Sequence, residues 1–250
     1  MNIPIDISEQ SGIRYLHFGS DWVQGAMRLR KPHALELAYT RDMMAGLLFR
    51  PEPWPERVLM IGLGAGSLAR FIHHHLPQTR CTVVEIAPEV HGVARQYFRL
   101  PDEDERFEVN IDDGARFVLS DGRQWDLIAV DGFDQNARAG DLATQPFYEA
   151  CRARLAPGGL LSVNLFGQLR GFKTQLTRLR KVFAGQVVAL PECDSGNVVA
   201  LATAGVPQVH ALIDLHQRAV ALKAATGLDL RPTLRQLGKA GPHGNGVIHL

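Results

Sequence analysis

Acidic residues stand where apolar runs give way to turns, and their spacing is the first sign of chemistry. Asp131 and Asp134 are three positions apart in Asp131-Gly132-Phe133-Asp134, directly after the run Leu127-Ile128-Ala129-Val130. Two carboxylates this close can hold a cationic amine or take a proton from it. If crowded together, one has a raised pKa and can serve as a base. Aspartates are more often solvated loop acids, but the end of a central strand is where open α/β sheets bind ligands. Asp113 lies in Asp112-Asp113-Gly114. A carboxylate followed by glycine at a strand-to-helix turn can accept a hydrogen bond from an exocyclic amine such as that of adenine. It can equally cap the helix, and adjacent residues can do both. Glu85 closes the run Thr82-Val83-Val84, about 20 residues past a glycine turn, where an acidic side chain meets ribose hydroxyls.

That glycine turn is the stretch Val58 to Leu68, VLMIGLGAGSL. A short apolar run of this kind reads as a buried parallel strand. It breaks at Gly62, Gly64 and Gly66, then leads through Ser67 into a helical pattern. Glycines allow a tight turn and a close approach of backbone to ligand. A nicotinamide dinucleotide fingerprint would need glycine or alanine at position 67, which is Ser67. The observed G-x-G-x-G spacing resembles the S-adenosylmethionine-dependent methyltransferase fold.

Positioning these groups requires alternating strands and helices. Strands are expected at Val58–Ile61, Cys81–Glu85, Phe107–Ile111, Trp125–Val130, Gly159–Leu165, Val187–Leu190 and Val198–Ala202. Helices are expected at Leu68–Leu76, Pro88–Phe98, Ala115–Leu119, Pro146–Leu155, Gly171–Phe183 and Val209–Ala225. Such alternation demands a doubly wound, mostly parallel α/β sheet with helices on both faces. Ahead of it, two alternating runs around Gly19-Ser20 predict a β-hairpin. Apolar spacing from Pro32 to Phe49 predicts a helix, ended by Pro51, Pro53 and Pro55. The expected organisation is residues 1–50 as an N-terminal β-element and helix and 51–250 as the α/β domain. The glycine- and proline-rich tail, 238–246, is expected to be mobile.

The chain has 250 residues, 46% hydrophobic, with 27 basic and 26 acidic side chains and a net charge of +1. This balance gives no reason to expect nucleic acid or an anionic membrane as partner. Neither a signal peptide nor a membrane span is expected. Cys81, Cys151 and Cys193 show no paired spacing and no metal motif, so they read as reduced thiols of a cytoplasmic protein. No metal is expected. His73, His74 and His75 are about 100° apart around a helix and cannot converge on one ion. Arg14, Arg28, Arg30, Lys31 and Arg41 form a basic cluster that reads as solvated surface. Asp194-Ser195-Gly196-Asn197 can line the site but is more simply a turn. Trp22 and Tyr15 can cover a ligand or pack the hairpin.

The order IGLGAGS, VVEI, DDGARF, DLIAVDGFD and QPFYEACRARLAPGGLL resembles the spermidine/spermine synthase family, the polyamine aminopropyltransferases. The resemblance runs from about Gln24 to Ala202. It implies a small N-terminal β-domain on a methyltransferase-like domain. It also implies an amine, such as putrescine, that attacks the aminopropyl carbon of decarboxylated S-adenosylmethionine. Carried over by position, Glu85 holds the ribose and Asp113 the adenine end, with Gly62, Gly64, Gly66 and Gly114 around the nucleoside. Asp131 is the base and Asp134 binds the amine. Gln24 matches a glutamine near the nucleoside, and Tyr39 a tyrosine of the family's E-x-A-Y-Q stretch. A homodimer is plausible on the same resemblance. Three places depart from the pattern. Ala65 stands where the family's glycine turn has an aspartate, Thr40 follows the tyrosine in place of glutamine, and Phe133 and Gln135 replace the serine and proline of D-S-S-D-P. The alternatives are a methyltransferase using S-adenosylmethionine itself, or a non-catalytic nucleoside-binding protein of the same fold.

Overall fold

The computed structural model describes residues 4–20, 22–133, 138–168, 171–193, 195–238 and 246–250. The chain opens with β1 (Asp6–Gln10), β2 (Ile13–His17) and β3 (Val23–Arg28), an antiparallel sheet in that order. The β2–β3 hairpin turns at Gly19-Ser20 as expected. Strand β1 was not foreseen, because DISEQ carries a single apolar residue and gives no alternating signal.

The expected helix from Pro32 to Phe49 is corrected. An irregular stretch leads to a short helix, α1 (Ala38–Met43), which tightens into a 3-10 turn over Met44–Leu48. The apolar spacing there reported burial rather than helix. Side chains hold the irregular part instead: Arg28 pairs with Glu36 at 2.6 Å, and Arg41 donates to the carbonyls of Leu35 and Glu36.

Strand and helix then alternate: β4 (Arg57–Ile61), α2 (Ser67–His75), β5 (Arg80–Glu85), α3 (Pro88–Tyr97), β6 (Phe107–Ile111), α4 (Gly114–Ser120), β7 (Trp125–Val130), α5 (Gln145–Arg154), β8 (Leu155–Phe166), α6 (Phe172–Val182), β9 (Val187–Ala189) and β10 (Asn197–Thr203). Seven strands form one sheet in the order β6-β5-β4-β7-β8-β10-β9. Strands β6 to β8 run parallel, and β10 is antiparallel to both its neighbours. This is the mostly parallel, doubly wound sheet that the alternation demanded. Its two faces bury separate clusters, one under α1, α2 and the C-terminal helices and one under α4, α5 and α6. The strand order reverses at β4 and β7, and ligands bind beyond the carboxyl ends of strands at such a reversal.

The helix expected over Val209–Ala225 begins later. Val209–Ala211 is strand β11, and α7 (Leu212–Thr226) follows. The cause lies far along the chain, where β12 (Val247–His249) pairs with β11. Helix α8 (Arg231–Leu237) was also unforeseen. Of the tail expected to be mobile, 239–245 lies outside the described residues.

Among the described residues no helix is long and apolar enough to cross a membrane. No group of three or more His, Cys, Asp or Glu among them could hold a metal ion. The three histidines of α2 take three directions: His73 bonds Asp104 at 3.0 Å, His74 stacks on His33 with ring centres 3.8 Å apart, and His75 leans on Phe71. Within the basic cluster, Arg14 pairs with Glu9, and Arg28 and Arg41 hold the irregular stretch described above.

Candidate active site

The site grows from the glycine turn after β4. Gly62 and Gly66 both have left-handed backbone, φ 95° and 69°. A Cβ on Gly62 would overlap the Asp131 carbonyl, so glycine is what lets β4 and β7 end side by side. The Gly62 N–H donates to the Val84 carbonyl and the Asp131 N–H to the Ile61 carbonyl, which carries the pairing of the three strands into the turn. Gly114 has the same logic, since a Cβ there would strike Ile61. Its absence seats the start of α4 on the end of β4.

Arg70 on α2 locks the other side of the turn. It is fully buried and donates to three carbonyls: Pro32 at 2.9 Å, Phe98 at 2.8 Å, and Ala65. Burial without a carboxylate partner pulls its pKa down to about 9.

Glu85, expected on the ribose, ends β5 buried beneath the turn. Its Oε2 accepts from the Leu63 N–H and its Oε1 from the Ala87 N–H, each at 2.9 Å. Burial raises its pKa, and the amides of Ala87, Leu63, Ile86 and Gly64 oppose that rise. Its first role is therefore to brace the turn. A carboxylate has about four acceptor sites, so it can also take ribose hydroxyls.

Asp113 caps α4, accepting from the Arg116 N–H at 2.8 Å. Asp112 accepts from the Asp113 N–H at 2.7 Å and from the Arg116 guanidinium. The capping role is thus realised by Asp113 itself. Together with Ala115, Arg116, Leu119, Ser120 and Asp141 it lines an open groove of about 640 Å³.

A second, tight cavity of about 20 Å³ lies where Gln24, Tyr39, Thr40, Gly62, Ala65 and Asp131 converge. This is room for about one water. The structure brings Asp131, Tyr39 and Gln24 together around this cavity. Asp134 lies outside the described residues. Burial raises the Asp131 pKa, opposed by hydrogen bonds from Asn164 and Tyr39. The Asn164 Nδ2 donates to Asp131 Oδ1 at 2.8 Å. Burial and the neighbouring Asp131 push the Tyr39 hydroxyl well above its ordinary value, so it stays a phenol and donates. Asp131 is thus a partly buried carboxylate met by two side-chain donors.

Ala65 is buried, and a Cβ on Gly25 of β3 would collide with its methyl and with its backbone nitrogen. The position where the family pattern has a carboxylate is closed by close packing of β3 on the turn.

Sequence reading missed Asn164 and its neighbours. The signal was available: Ser162 and Asn164 are polar residues at alternate positions of an otherwise apolar buried strand, and buried polar groups require partners. Ser162 Oγ donates to the Met43 carbonyl, which fixes α1, and with it Tyr39, over β8. Phe166, on the same face, stacks against Trp22 at 5.7 Å and 22°. Trp22 thus packs on the end of β8, whereas among the described residues the aromatic neighbour of Tyr15 is His17.

Comparison with known proteins finds relatives in sequence and in structure. Residues 36–199 match the family model described as Spermine/spermidine synthase domain. A polyamine aminopropyltransferase of Neisseria meningitidis serogroup B is 39% identical over 246 residues, covering 98% of this chain and 93% of that one. One from Chromobacterium violaceum is 38% identical over 233 residues, covering 93% and 88%. Among solved structures, a probable spermidine synthase from Corynebacterium glutamicum superposes with a TM-score of 0.72 at 23% identity, over 90% of this chain and 91% of that one. Human methyltransferase-like protein 13 in complex with SAH gives 0.69 at 26% identity, over 76% and 93%.

Proposed function

The chain belongs to the spermine/spermidine synthase family and is a transferase, and on that premise we propose that it moves an aminopropyl group from decarboxylated S-adenosylmethionine to a small amine of the putrescine kind, with Asp131 as base. The observation that carries this reading is the partly buried Asp131 carboxylate beside the glycine turn, held by Tyr39 and Asn164. In the proposed step Asp131 takes a proton from the substrate ammonium and frees its nitrogen lone pair. That nitrogen attacks the methylene next to the sulfonium, the C–S bond breaks, and its electron pair neutralises the sulfur. The protein's part is to orient the nucleophile in line and remove one proton.

Support for the nucleoside end comes from the acceptor capacity left on Glu85, from Asp113 at the head of α4, and from the exposed Ile86 beside Glu85, which offers an apolar face to a base. Gln24 and Tyr39 line the reacting cavity, and Asp134 is proposed to bind the amine. Action in the cytoplasm and as a homodimer belongs to the same reading.

One observation favours a second reading. Ala65 removes the carboxylate suited to the amine of the decarboxylated ligand, so S-adenosylmethionine with its carboxylate meets less repulsion, and methyl transfer becomes the alternative. Calorimetric titration with S-adenosylmethionine, its decarboxylated form and methylthioadenosine separates the two. Preference for the decarboxylated ligand, followed by release of methylthioadenosine when putrescine is added, is the expected result. Preference for the carboxylated ligand with methyl transfer to an acceptor would replace it.

A further inference from the structure

The Asp131 carboxylate is the start of a chain of hydrogen bonds that leaves the cavity. Asn164 on β8 donates through Nδ2 to Asp131, and its Oδ1 accepts from Asn197 Nδ2 on β10 at 3.0 Å. Asn197 Oδ1 accepts from Ser195 Oγ at 2.7 Å, and Ser195 Oγ lies 3.1 Å from Cys193 Sγ. The direction of every link follows from the first. An ionised carboxylate only accepts, so Asn164 must present its amide nitrogen. Its oxygen then faces β10 and requires a donor there. Asn197 supplies the donor, and its own oxygen must accept from the Ser195 hydroxyl.

We propose that Asn197 is a positioning residue for Asp131: by donating to the Asn164 oxygen it holds the Asn164 amide with its nitrogen toward the carboxylate. This rests on the reading of Asp131 as base. An amide can turn over with little change of shape. Turned over, Asn164 would present an oxygen to the carboxylate and favour its protonated form. Asn164 is nearly fully buried at 4% exposure, so losing the partner of its oxygen is not made good by solvent. The titratable group facing Asp131 among the described residues is Tyr39 on α1, with Cys193 beyond it. Tyr39 stays neutral, so it cannot set the direction of the Asn164 amide. Ser195 is exposed and Asn197 half-buried, which makes Asn197 the innermost group of the chain that does not itself touch Asp131.

The test is the pH dependence of kcat/KM for methylthioadenosine release in Asn197→Ala, Asn197→Ser and Ser195→Ala. Removing the donor is expected to move the acidic limb of Asn197→Ala to higher pH by about one unit, with about a tenfold loss at pH below the limb and a smaller one above it. Asn197→Ser, which keeps a hydroxyl donor, and Ser195→Ala, which leaves Asn197 free to turn, should shift in the same direction by less. Turnover lost with the limb unmoved would mark Asn197 as merely structural and overturn the proposal, as would an unchanged profile. If Asn197→Ala fails to fold, the limb of Ser195→Ala decides in the same way. If Asp131→Asn retains turnover, the base reading fails. The titration of the Asp131 carboxyl by ¹³C NMR, variant against parent, then decides the positioning claim alone: an upward shift upholds it and none refutes it.

Discussion

Glu85 and Asp131 flank the same turn, one ending β5 and the other following β7, and burial pushes both carboxyls upward. They are held in different ways. Glu85 is met by the backbone amides of Leu63, Gly64, Ile86 and Ala87, donors that come with the fold and that no single substitution removes. Asp131 is met by two side chains, Tyr39 and Asn164, from elements far apart in sequence. The end proposed for the nucleoside is therefore fixed by chain path, and the proposed reacting end by side chains that can change one at a time. The departures from the family pattern at Thr40 and Ala65 lie at the second end, on the walls of the reacting cavity.

Asp131→Asn should break the comparison most sharply. Turnover is expected to fall by about 10²–10⁴-fold, the usual worth of a general base, while calorimetry finds nucleoside affinity little changed. Glu85→Gln should do the reverse. It exchanges two charge-assisted bonds to backbone for weaker ones, so unfolding in denaturant is expected to show a loss of about 1–3 kcal/mol together with weaker nucleoside binding. Equal loss of turnover in both variants, without loss of stability in the second, would erase the distinction. Tyr39→Phe removes one of the two donors that oppose the rise of the Asp131 pKa. The acidic limb of its rate profile should move to higher pH, with a loss of about tenfold in turnover at pH below the limb.

The smallest effect concerns neither carboxylate and sets the baseline for the pH profiles. The His33 pKa is lowered from its ordinary 6.5, first by burial and then by His74, Arg70 and Arg99. As pH falls, the unfolded chain binds the proton before the folded one does. Stability is thus full above about 6.5 and is lost as pH drops through the lower native value. Melting temperatures across this range should decline on the acid side, and His33→Gln should flatten the decline.

The sheet was legible because parallel strands buried on both faces are written as apolar runs and interrupted by glycine and proline. Phe107–Ile111 and Trp125–Val130 came out with the boundaries read from sequence. Glu85 and the glycines were legible for the same reason, since a carboxylate braced by backbone has a fixed distance from its turn. Strand β11 was not, because it exists only through its pairing with β12, far away in the chain. Strand β1 and helix α8 lacked any local periodic signal. In the site, the alternate polar positions Ser162 and Asn164 marked a buried polar group without naming its partner, and Asn197 read as part of a turn, because what joins them is one hydrogen bond between β8 and β10. Asp113 was legible as a carboxylate at the head of a helix, and of the two roles read from its spacing the structure shows the capping bond.

Arg70 ties the stretch after β3, the glycine turn and the end of α3 into a single knot. None of these can peel away alone without stranding a guanidinium in a dry interior, which is costly. The first third of the chain therefore opens as a unit or not at all. Hydrogen exchange would record this as one shared protection level for the amides around Pro32, Ala65 and Phe98.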